Sequence, residues 1–340
     1  MSGWLRAQDV MPLRLGADVL ASGGVGDSYI AVRWAKDVLA SSGPVRLVTW
    51  QELPDDGLVV PVAIMGSPVV SEEMLYHQAP LEAVVRAMED LKRSPAVALI
   101  PIEAAGSNLL IALAAAASMG LPLVDGDGMG RAFPYLQITS WSLHALFASP
   151  LTVADDLGNQ AICLTVNDGW AERMGRALTI SMGGSIYIAA YAGTRSQLQA
   201  ASIDGTVSRA LALGESLMAL KELRISSYRH ISEQTAWMSG KVVEVLREQE
   251  PFYATILTHQ GTSLLVEFND QFESVLEQGK IVAQLPDIIT LIDQSTMEPI
   301  SCGQMRYGLR VHLITLEAPA AWYTSRGKQL WQSALDKEAH

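Results

Sequence analysis

The chain has 340 residues, of which 49% are apolar and 18% are charged, and its formal net charge is −12. This length and composition exclude a small disulfide scaffold and an extensively disordered chain, and they favour two domains with a large core. The negative charge argues against a general nucleic-acid binder or an anionic-membrane binder, because no surplus of cations is available to neutralise phosphates.

Helical patterns alternate with short apolar runs from residue 17 to about residue 220. The predicted helices cover residues 29–40, 81–93 and 108–119, and the predicted strands cover residues 45–48, 58–64, 96–100, 121–124 and 186–190. Alternation of this kind indicates an α/β fold, here a layered domain with a mainly parallel sheet.

The pattern changes beyond the polar stretch 221–234. Short runs of β-forming residues follow, with little helix between them, at residues 241–246, 253–257, 263–268, 288–292 and 309–316. They predict a smaller C-terminal β-rich domain with a barrel-like sheet. We therefore expect an α/β domain over residues 1–230, a β-rich domain over residues 231–325, and a loosely structured or helical tail over residues 326–340.

Four loops rich in glycine and polar residues carry the candidate site: residues 21–28, 65–68, 100–108 and 124–131. Because the carboxyl ends of parallel strands meet along one edge of a sheet, these loops are expected to line one cleft. Its candidate polar members are Asp27, Ser67, Glu103, Asn108, Asp125, Asp127 and Arg131. Glycines let backbone approach a ligand, carboxylates can move protons, and an arginine can hold an anion. The alternative is structural, since the same residues also suit tight turns and helix caps.

No clear metal motif accompanies these loops. Asp125-Gly126-Asp127-Gly128 superficially resembles a calcium loop, but Met129 and Leu136 stand where oxygen ligands are needed. The six histidines are scattered and form no zinc motif. The cofactor requirement is therefore unknown, and a divalent ion held by carboxylates stays open without a motif to support it.

The cysteines and the apolar segments indicate in which cellular compartment the protein is expected. Cys163 and Cys302 lie far apart and form no CxxC pair, which favours a reducing cytoplasm over a disulfide framework. Residues 1–16 lack the pattern of a signal peptide. The alanine-rich stretch 109–119 is too short to span a bilayer and is expected to be a buried helix.

Several motifs, in order along the chain, resemble the S-methyl thiohydantoin desulfurase-like family, much of it long catalogued as a domain of unknown function. They include Gly23-Gly24-Val25-Gly26-Asp27, Gly66-Ser67-Pro68, Pro101-Ile102-Glu103, Asp127 to Pro134, Gly240-Lys241-Val242, Leu285 to Ile289, and Arg306 to Val311. The resemblance covers nearly the whole chain, and the stretch Asp127 to Pro134 is its most specific part.

This resemblance implies a three-layer α/β domain followed by a barrel-like domain, and chemistry on cyclic ureides such as hydantoins and thiohydantoins. The expected reaction is water-mediated desulfurisation or a related hydrolysis. Glu103, Asp125 or Asp127 would activate water, while Arg131 and the glycine loops would stabilise negative charge. The expected substrate-binding residues are Gly23, Gly24, Gly26, Asp27, Ser67, Asn108 and Gly128.

The chain also departs from the family pattern, at Met74, Ala105, Tyr135, Gln271 and Gly303. These departures identify it as a divergent member. They leave an alternative open, namely a non-catalytic metabolite-binding or regulatory subunit beside an active relative. The expected partners are a small-molecule substrate and, as a further option, a second copy of the chain or a related family member.

Overall fold

The computed structural model describes residues 3–24, 26, 28–67, 70, 73–223 and 234–336. It contains a mixed α/β N-terminal domain and an antiparallel β-rich C-terminal domain. The boundary predicted at residue 230 lies outside the described residues.

The N-terminal domain is built on a mixed sheet. The strands of this domain are β1 (Gly3–Leu5), β2 (Val45–Val48), β3 (Leu58–Gly66), β4 (Ala96–Pro101), β5 (Leu123–Val124), β6 (Gly126–Asp127), β7 (Leu151–Ala154), β8 (Gln160–Cys163), β9 (Ser185–Ala189), β10 (Gly193–Thr194) and β11 (Ile203–Asp204). Strands β6 and β11 pair with each other in a small separate sheet. The order of the main sheet is β1-β2-β5-β4-β3-β9-β7-β8, with β10 paired to β3. The central strands β2, β5, β4 and β3 are parallel, as the alternating pattern predicts. Antiparallel strands flank this centre on both sides, which the local pattern did not predict.

Helices cover both faces of this sheet. They are α1 (Val10–Leu20), α2 (Tyr29–Ser42), α3 (Gln78–Lys92), α4 (Ser107–Met119), α5 (Ser140–Leu143), α6 (Asp168–Ser181), α7 (Arg195–Gln199), α8 (Thr206–Leu223) and α9 (Ser325–Asp336). Along β3, Val60 and Val62 belong to one apolar cluster, whereas Val59 and Ala63 belong to another. Because side chains alternate across a strand, the two clusters lie on opposite faces of the sheet. The domain therefore has three layers.

Helix α4 lies at the centre of the first cluster. Residues 109–117 are all buried, because α4 packs against α1, α2 and α3 as well as β3 and β4. A helix that is apolar on all sides is stable only when it is enclosed in this way. This confirms the buried helix expected from the alanine-rich stretch, and it fixes the position of the residues that precede it.

Helices α1 and α8 pack with their backbones in contact. A Cβ atom added to Gly16 would lie 1.7 Å from the carbonyl oxygen of Ala210, and one added to Gly214 would lie 1.7 Å from that of Pro12. Only glycine permits this approach. The contact holds the end of α1 in place, and that end leads into the glycine loop.

The C-terminal domain is an antiparallel sheet in the order β16-β15-β14-β13-β12-β19-β17-β18. Its strands are β12 (Gln234–Leu246), β13 (Phe252–Thr258), β14 (Ser263–Phe268), β15 (Phe272–Glu277), β16 (Lys280–Gln284), β17 (Ile288–Asp293), β18 (Pro299–Ile300) and β19 (Arg310–Leu316). Within the described ranges, no ladder of hydrogen bonds closes this sheet into a barrel. The predicted β-rich domain is confirmed, but the sheet is open.

Ser22, which belongs to the N-terminal domain, forms hydrogen bonds to two strands of this open sheet. Ser22 Oγ donates to the carbonyl oxygen of Ile289 on β17 over 2.8 Å and accepts from its N–H. The Phe272 N–H on β15 donates to the Ser22 carbonyl oxygen over 2.8 Å. Ser22 therefore bridges β15 and β17 in place of direct pairing, and it joins the glycine loop to the second domain.

None of the described helices is both long enough and apolar enough to cross a membrane.

Candidate functional site

A cleft of about 530 Å³ lies at the ends of β3 and β4. Its polar lining comes from three of the four predicted loops: Gly24 and Gly26, Gly66 and Ser67, and Glu103 with Ser107 and Asn108. The fourth loop contributes Met129, and the segment that follows it contributes residues 133–136, which are mostly apolar. Arg176 and Asp270 add charge. The structure thus brings parts of all four loops together, as strand ends of one sheet edge should be.

Glu103 and Asp270 are the carboxylates among the described residues that line this cleft, and Glu103 is the one that a predicted loop supplies. It follows β4 directly, and its Oε1 accepts a hydrogen bond from Asn108 Nδ2 over 2.6 Å. Oε2 is shielded from solvent and has no hydrogen-bond partner among the described residues. Burial raises the pKa of Glu103 to about 8, and the nearby Asp127 carboxylate adds to the rise, while the Asn108 hydrogen bond opposes it. A carboxyl group with this pKa can take up or release a proton near neutral pH.

Asn108 links the Glu103 side chain to strand β3. Its Oδ1 accepts from the Ile64 N–H on β3 over 2.7 Å while its amide donates to Glu103. Asn108 is the second residue of α4, so the start of a rigid, enclosed helix positions the carboxylate. Ser107 and Asn108, the first two residues of α4, both line the cleft. The partial positive charge at a helix start therefore favours an anion at this end of the cleft.

Asp127 lies beneath the cleft and does not line it. Its side chain is fully buried, with Oδ2 accepting from the Ala104 N–H over 2.6 Å and Oδ1 accepting from those of Met129 and Gly130 over 3.2 and 2.8 Å. Burial raises the pKa of Asp127, and these backbone hydrogen bonds act in the opposite direction. Asp127 therefore joins the loop that carries Glu103 to the loop that carries Phe133.

Asp125 caps a helix away from the cleft. Its two carboxylate oxygens accept from the backbone N–H and the hydroxyl of Ser208, over 2.9 and 2.5 Å, in the first turn of α8. A carboxylate at a helix start satisfies N–H groups that have no partner within the helix. In this position Asp125 stabilises α8 and does not contact the cleft.

Arg131 connects the two domains. Its side chain is fully buried, and its guanidinium donates to the carbonyl oxygens of Pro286 and Asp287, the latter over 2.8 Å, and to Gln271 Oε1 over 2.6 Å. Nε donates to the carbonyl oxygen of Ala132. Burial lowers the pKa of Arg131 to about 10, opposed mainly by the Asp287 carboxylate. The group stays charged at neutral pH and does not line the cleft.

The predicted glycines divide into two groups. Gly24 and Gly26 line the cleft, whereas Gly23 and Gly128 lie behind it. Gly23 has a φ of +78°, and a Cβ atom there would lie 2.5 Å from the Phe272 ring. A Cβ atom on Gly128 would lie 2.8 Å from the Trp141 ring.

Of the other two predicted binding residues, Ser67 lines the cleft and donates its N–H to the Gly184 carbonyl oxygen over 3.0 Å. Asp27 lies outside the described residues.

Arg176 is a cleft residue that sequence reasoning missed. It lies on α6, where Nε donates to Glu172 Oε1 over 2.5 Å and Nη2 to the Pro134 carbonyl oxygen over 2.6 Å. Within the described part of the chain, Nη1 forms no hydrogen bond and no ion pair. On sequence alone it resembles any solvated arginine of an amphipathic helix, so only the tertiary fold identifies it.

Among the described residues, no group of three histidine, cysteine or carboxylate side chains is arranged to hold a metal ion. Cys163 and Cys302 are both buried and unpaired with each other. Burial raises the pKa of both thiols, which makes neither of them a ready nucleophile.

Two family models match consecutive parts of the chain. One is described as S-Me-THD-like, N-terminal domain, and matches residues 8–165, and the other is described as S-Me-THD-like, C-terminal domain, and matches residues 166–333. The crystal structure of a protein from Chromobacterium violaceum is similar to this chain, with a TM-score of 0.82 and 22% identity, covering 99% of this chain and 98% of that one. At this identity the likeness concerns the fold. No curated protein matches the chain.

Proposed function

The chain belongs to the S-Me-THD-like family, and on that premise we propose that it is an enzyme that acts on a small cyclic ureide of the thiohydantoin or hydantoin type. The reaction would be water-mediated desulfurisation or a related hydrolysis. The observation that carries the proposal is Glu103, a carboxyl group at the cleft with a pKa of about 8 and one oxygen that has no hydrogen-bond partner among the described residues. Perturbed carboxyl groups in clefts are typical of sites that move protons.

The shape and lining of the cleft suit such a ring. Its volume of about 530 Å³ lies within the range of small-molecule sites. Apolar side chains, among them Ile102, Met129 and Phe133, form its walls and would pack against a planar heterocycle. Polar groups of the ring would meet Glu103, Asn108 and the backbone of the glycine loop.

The proposed chemistry is an attack of water on the ring carbon that bears sulfur. Ionised Glu103 takes a proton from this water as the new C–O bond forms, and the ring becomes a tetrahedral anion. The C–S bond then breaks, and the sulfur departs as a thiolate or sulfide that accepts a proton. The product is the oxygen-bearing ring, so no external oxidant or reductant is required.

The negative charge that develops on the ring is stabilised by hydrogen-bond donors that are already in position before the reaction. We assign this role to the first-turn N–H groups of α4 and to the Arg176 guanidinium, which lie at the cleft, whereas the Gly24 N–H already donates to the Ala21 carbonyl oxygen over 2.9 Å. In this proposal Asp127, Asp125 and Arg131 are positioning residues. They hold the loops and the second domain in place, and Glu103 is the catalytic base.

A cytoplasmic location fits this proposal, because both cysteines are free and buried. A small molecule is the proposed partner. Association with a second copy or with a related family member stays a proposal without an assigned surface.

The test is incubation of the purified protein with hydantoins, thiohydantoins and S-methyl thiohydantoins, followed by mass spectrometry. We expect conversion of a sulfur-bearing ring to its oxygen analogue, and loss of conversion in Glu103→Gln. Tight binding without conversion by the wild-type protein would contradict the enzyme assignment and favour the alternative of a metabolite-binding subunit.

A further inference from the structure

A second cavity, of about 620 Å³, lies between the two domains. It shares no lining residue with the glycine-loop cleft. One wall is formed by α1 and α2, and the other by the segment from β17 to the start of β19. Its apolar lining includes Met11, Val32, Ile300 and Leu309. We call this cavity the interdomain groove.

The interdomain groove is lined by three cations that have no ion-pair partner among the described residues. Arg33 and Lys36 lie on α2, and Arg306 lies on the C-terminal domain. None of the three forms an ion pair within 4.0 Å among the described residues. The fourth cation of the lining, Arg14, is already paired with Asp18 over 2.7 Å.

The two acids of the groove have partners of their own. Glu298 pairs with Arg14 over 2.9 Å and with Lys221 over 3.6 Å. Asp293 Oδ1 accepts from the backbone N–H groups of Ser295 and Thr296 over 2.8 and 3.0 Å. Among the described residues neither acid forms an ion pair with Arg33, Lys36 or Arg306, and the four lining cations outnumber the two lining acids, so the local charge is positive.

We propose that the interdomain groove binds a small organic anion that carries at least two negative charges and an apolar or aromatic body. Two or three cations converging from both walls attract such charges, while the apolar lining accepts the body of the ligand. Tyr29, a residue that is 64% exposed, adds an aromatic side chain to this lining. The volume is sufficient for a ligand of nucleotide size.

The position of the cations gives the proposal a specific consequence. Arg33 and Lys36 belong to one domain and Arg306 to the other, so the bound anion would bridge the domains. A ligand that binds only the folded, docked arrangement raises the melting temperature. Binding should depend on cations from both walls.

The test is titration calorimetry of the full chain with adenosine 5′-diphosphate, inorganic pyrophosphate and adenosine as probes. We expect saturable binding of adenosine 5′-diphosphate, weaker binding of pyrophosphate and none of adenosine. Arg33→Glu and Arg306→Glu should each weaken nucleotide binding at least tenfold. Arg326→Glu, which reverses an exposed cation elsewhere, should not change it. Unchanged melting temperatures without ligand would show that the variants are folded.

Three results would overturn the proposal. They are no saturable binding of the diphosphate or pyrophosphate at millimolar concentration, equal weakening in Arg326→Glu, and weakening by only one of the two groove variants. Because the groove and the cleft share no residue, Glu103→Gln should bind the nucleotide as the wild-type protein does. The groove is thereby tested independently of the proposed enzymatic activity.

Discussion

Replacing Glu103 by glutamine is expected to remove most of the activity and to stabilise the folded protein at alkaline pH. Glutamine keeps the shape of the side chain, and its Oε1 can still accept the hydrogen bond from Asn108. It cannot take a proton from water. The substitution therefore separates the role of the charge from the role of the packing.

The stability change follows from the raised pKa. The pKa of Glu103 is about 8 in the folded protein, against a reference value of 4.5. Between these two values the unfolded chain is ionised while the folded chain keeps its proton, so the free energy of unfolding falls by about 1.4 kcal/mol per pH unit. The full difference between the two pKa values corresponds to roughly 5 kcal/mol in the free energy of unfolding. Water that enters the cleft would reduce this contribution. This contribution to stability is complete below pH 4.5 and lost above about pH 8.

The Glu103→Gln substitution should lower the activity although it raises the stability at alkaline pH. A positioned general base contributes about 10²- to 10⁴-fold to a reaction rate, so kcat of Glu103→Gln should fall at least a hundredfold, with a small change in KM. For the wild-type protein, kcat/KM should rise with pH and level off above about pH 8, where Glu103 is ionised.

The assay is urea unfolding of both proteins between pH 5 and pH 9, paired with turnover on any substrate found. Glu215→Gln is a matched control, because Glu215 is exposed on α8 and does not line the cleft. The wild-type and Glu103→Gln stability curves should diverge as the pH rises. Parallel curves, or unchanged turnover in Glu103→Gln, would refute the reasoning.

Four further substitutions test the groups that support the cleft. Asp127→Asn should lower the free energy of unfolding by about 2 kcal/mol, because an amide nitrogen replaces an oxygen that accepts backbone N–H bonds; urea unfolding measures it. Arg131→Met should lower it by about 3 kcal/mol, since carbonyl groups of the second domain lose their donor; an unchanged urea midpoint would contradict this. Gly16→Ala and Gly214→Ala should each cost about 3 kcal/mol or more through backbone clashes, whereas Gly3→Ala, which meets nothing within 4 Å, should be nearly neutral in thermal unfolding.

The layered α/β architecture could be predicted because its signals are local. Apolar runs such as 58–64 and 96–100 appear as β3 and β4, and the alanine-rich stretch appears as the buried part of α4. The antiparallel placement of β9 beside β3 depends on contacts between distant segments, which no local pattern contains. The hydrogen bonds that Ser22 makes to both β15 and β17 likewise join segments that are far apart in the sequence.

The site was predicted only in outline. Glu103 and Asn108 can be assigned to one candidate site from the sequence, because the loop between β4 and α4 keeps them close in sequence as well as in space. Asp127 and Arg131 have the same residue types as catalytic groups, but their roles depend on backbone groups that a sequence does not display. Arg176 has no local signal, because only the packing of α6 brings it to the cleft.

The most direct test of the central claim is mass spectrometry of an S-methyl thiohydantoin incubated with wild-type protein and with Glu103→Gln. The account predicts that the wild-type protein releases the sulfur group and incorporates one oxygen atom from ¹⁸O-labelled water into the ring. Glu103→Gln should form this product at least a hundred times more slowly. Equal rates of product formation in the two proteins would contradict the assignment of Glu103 as the base.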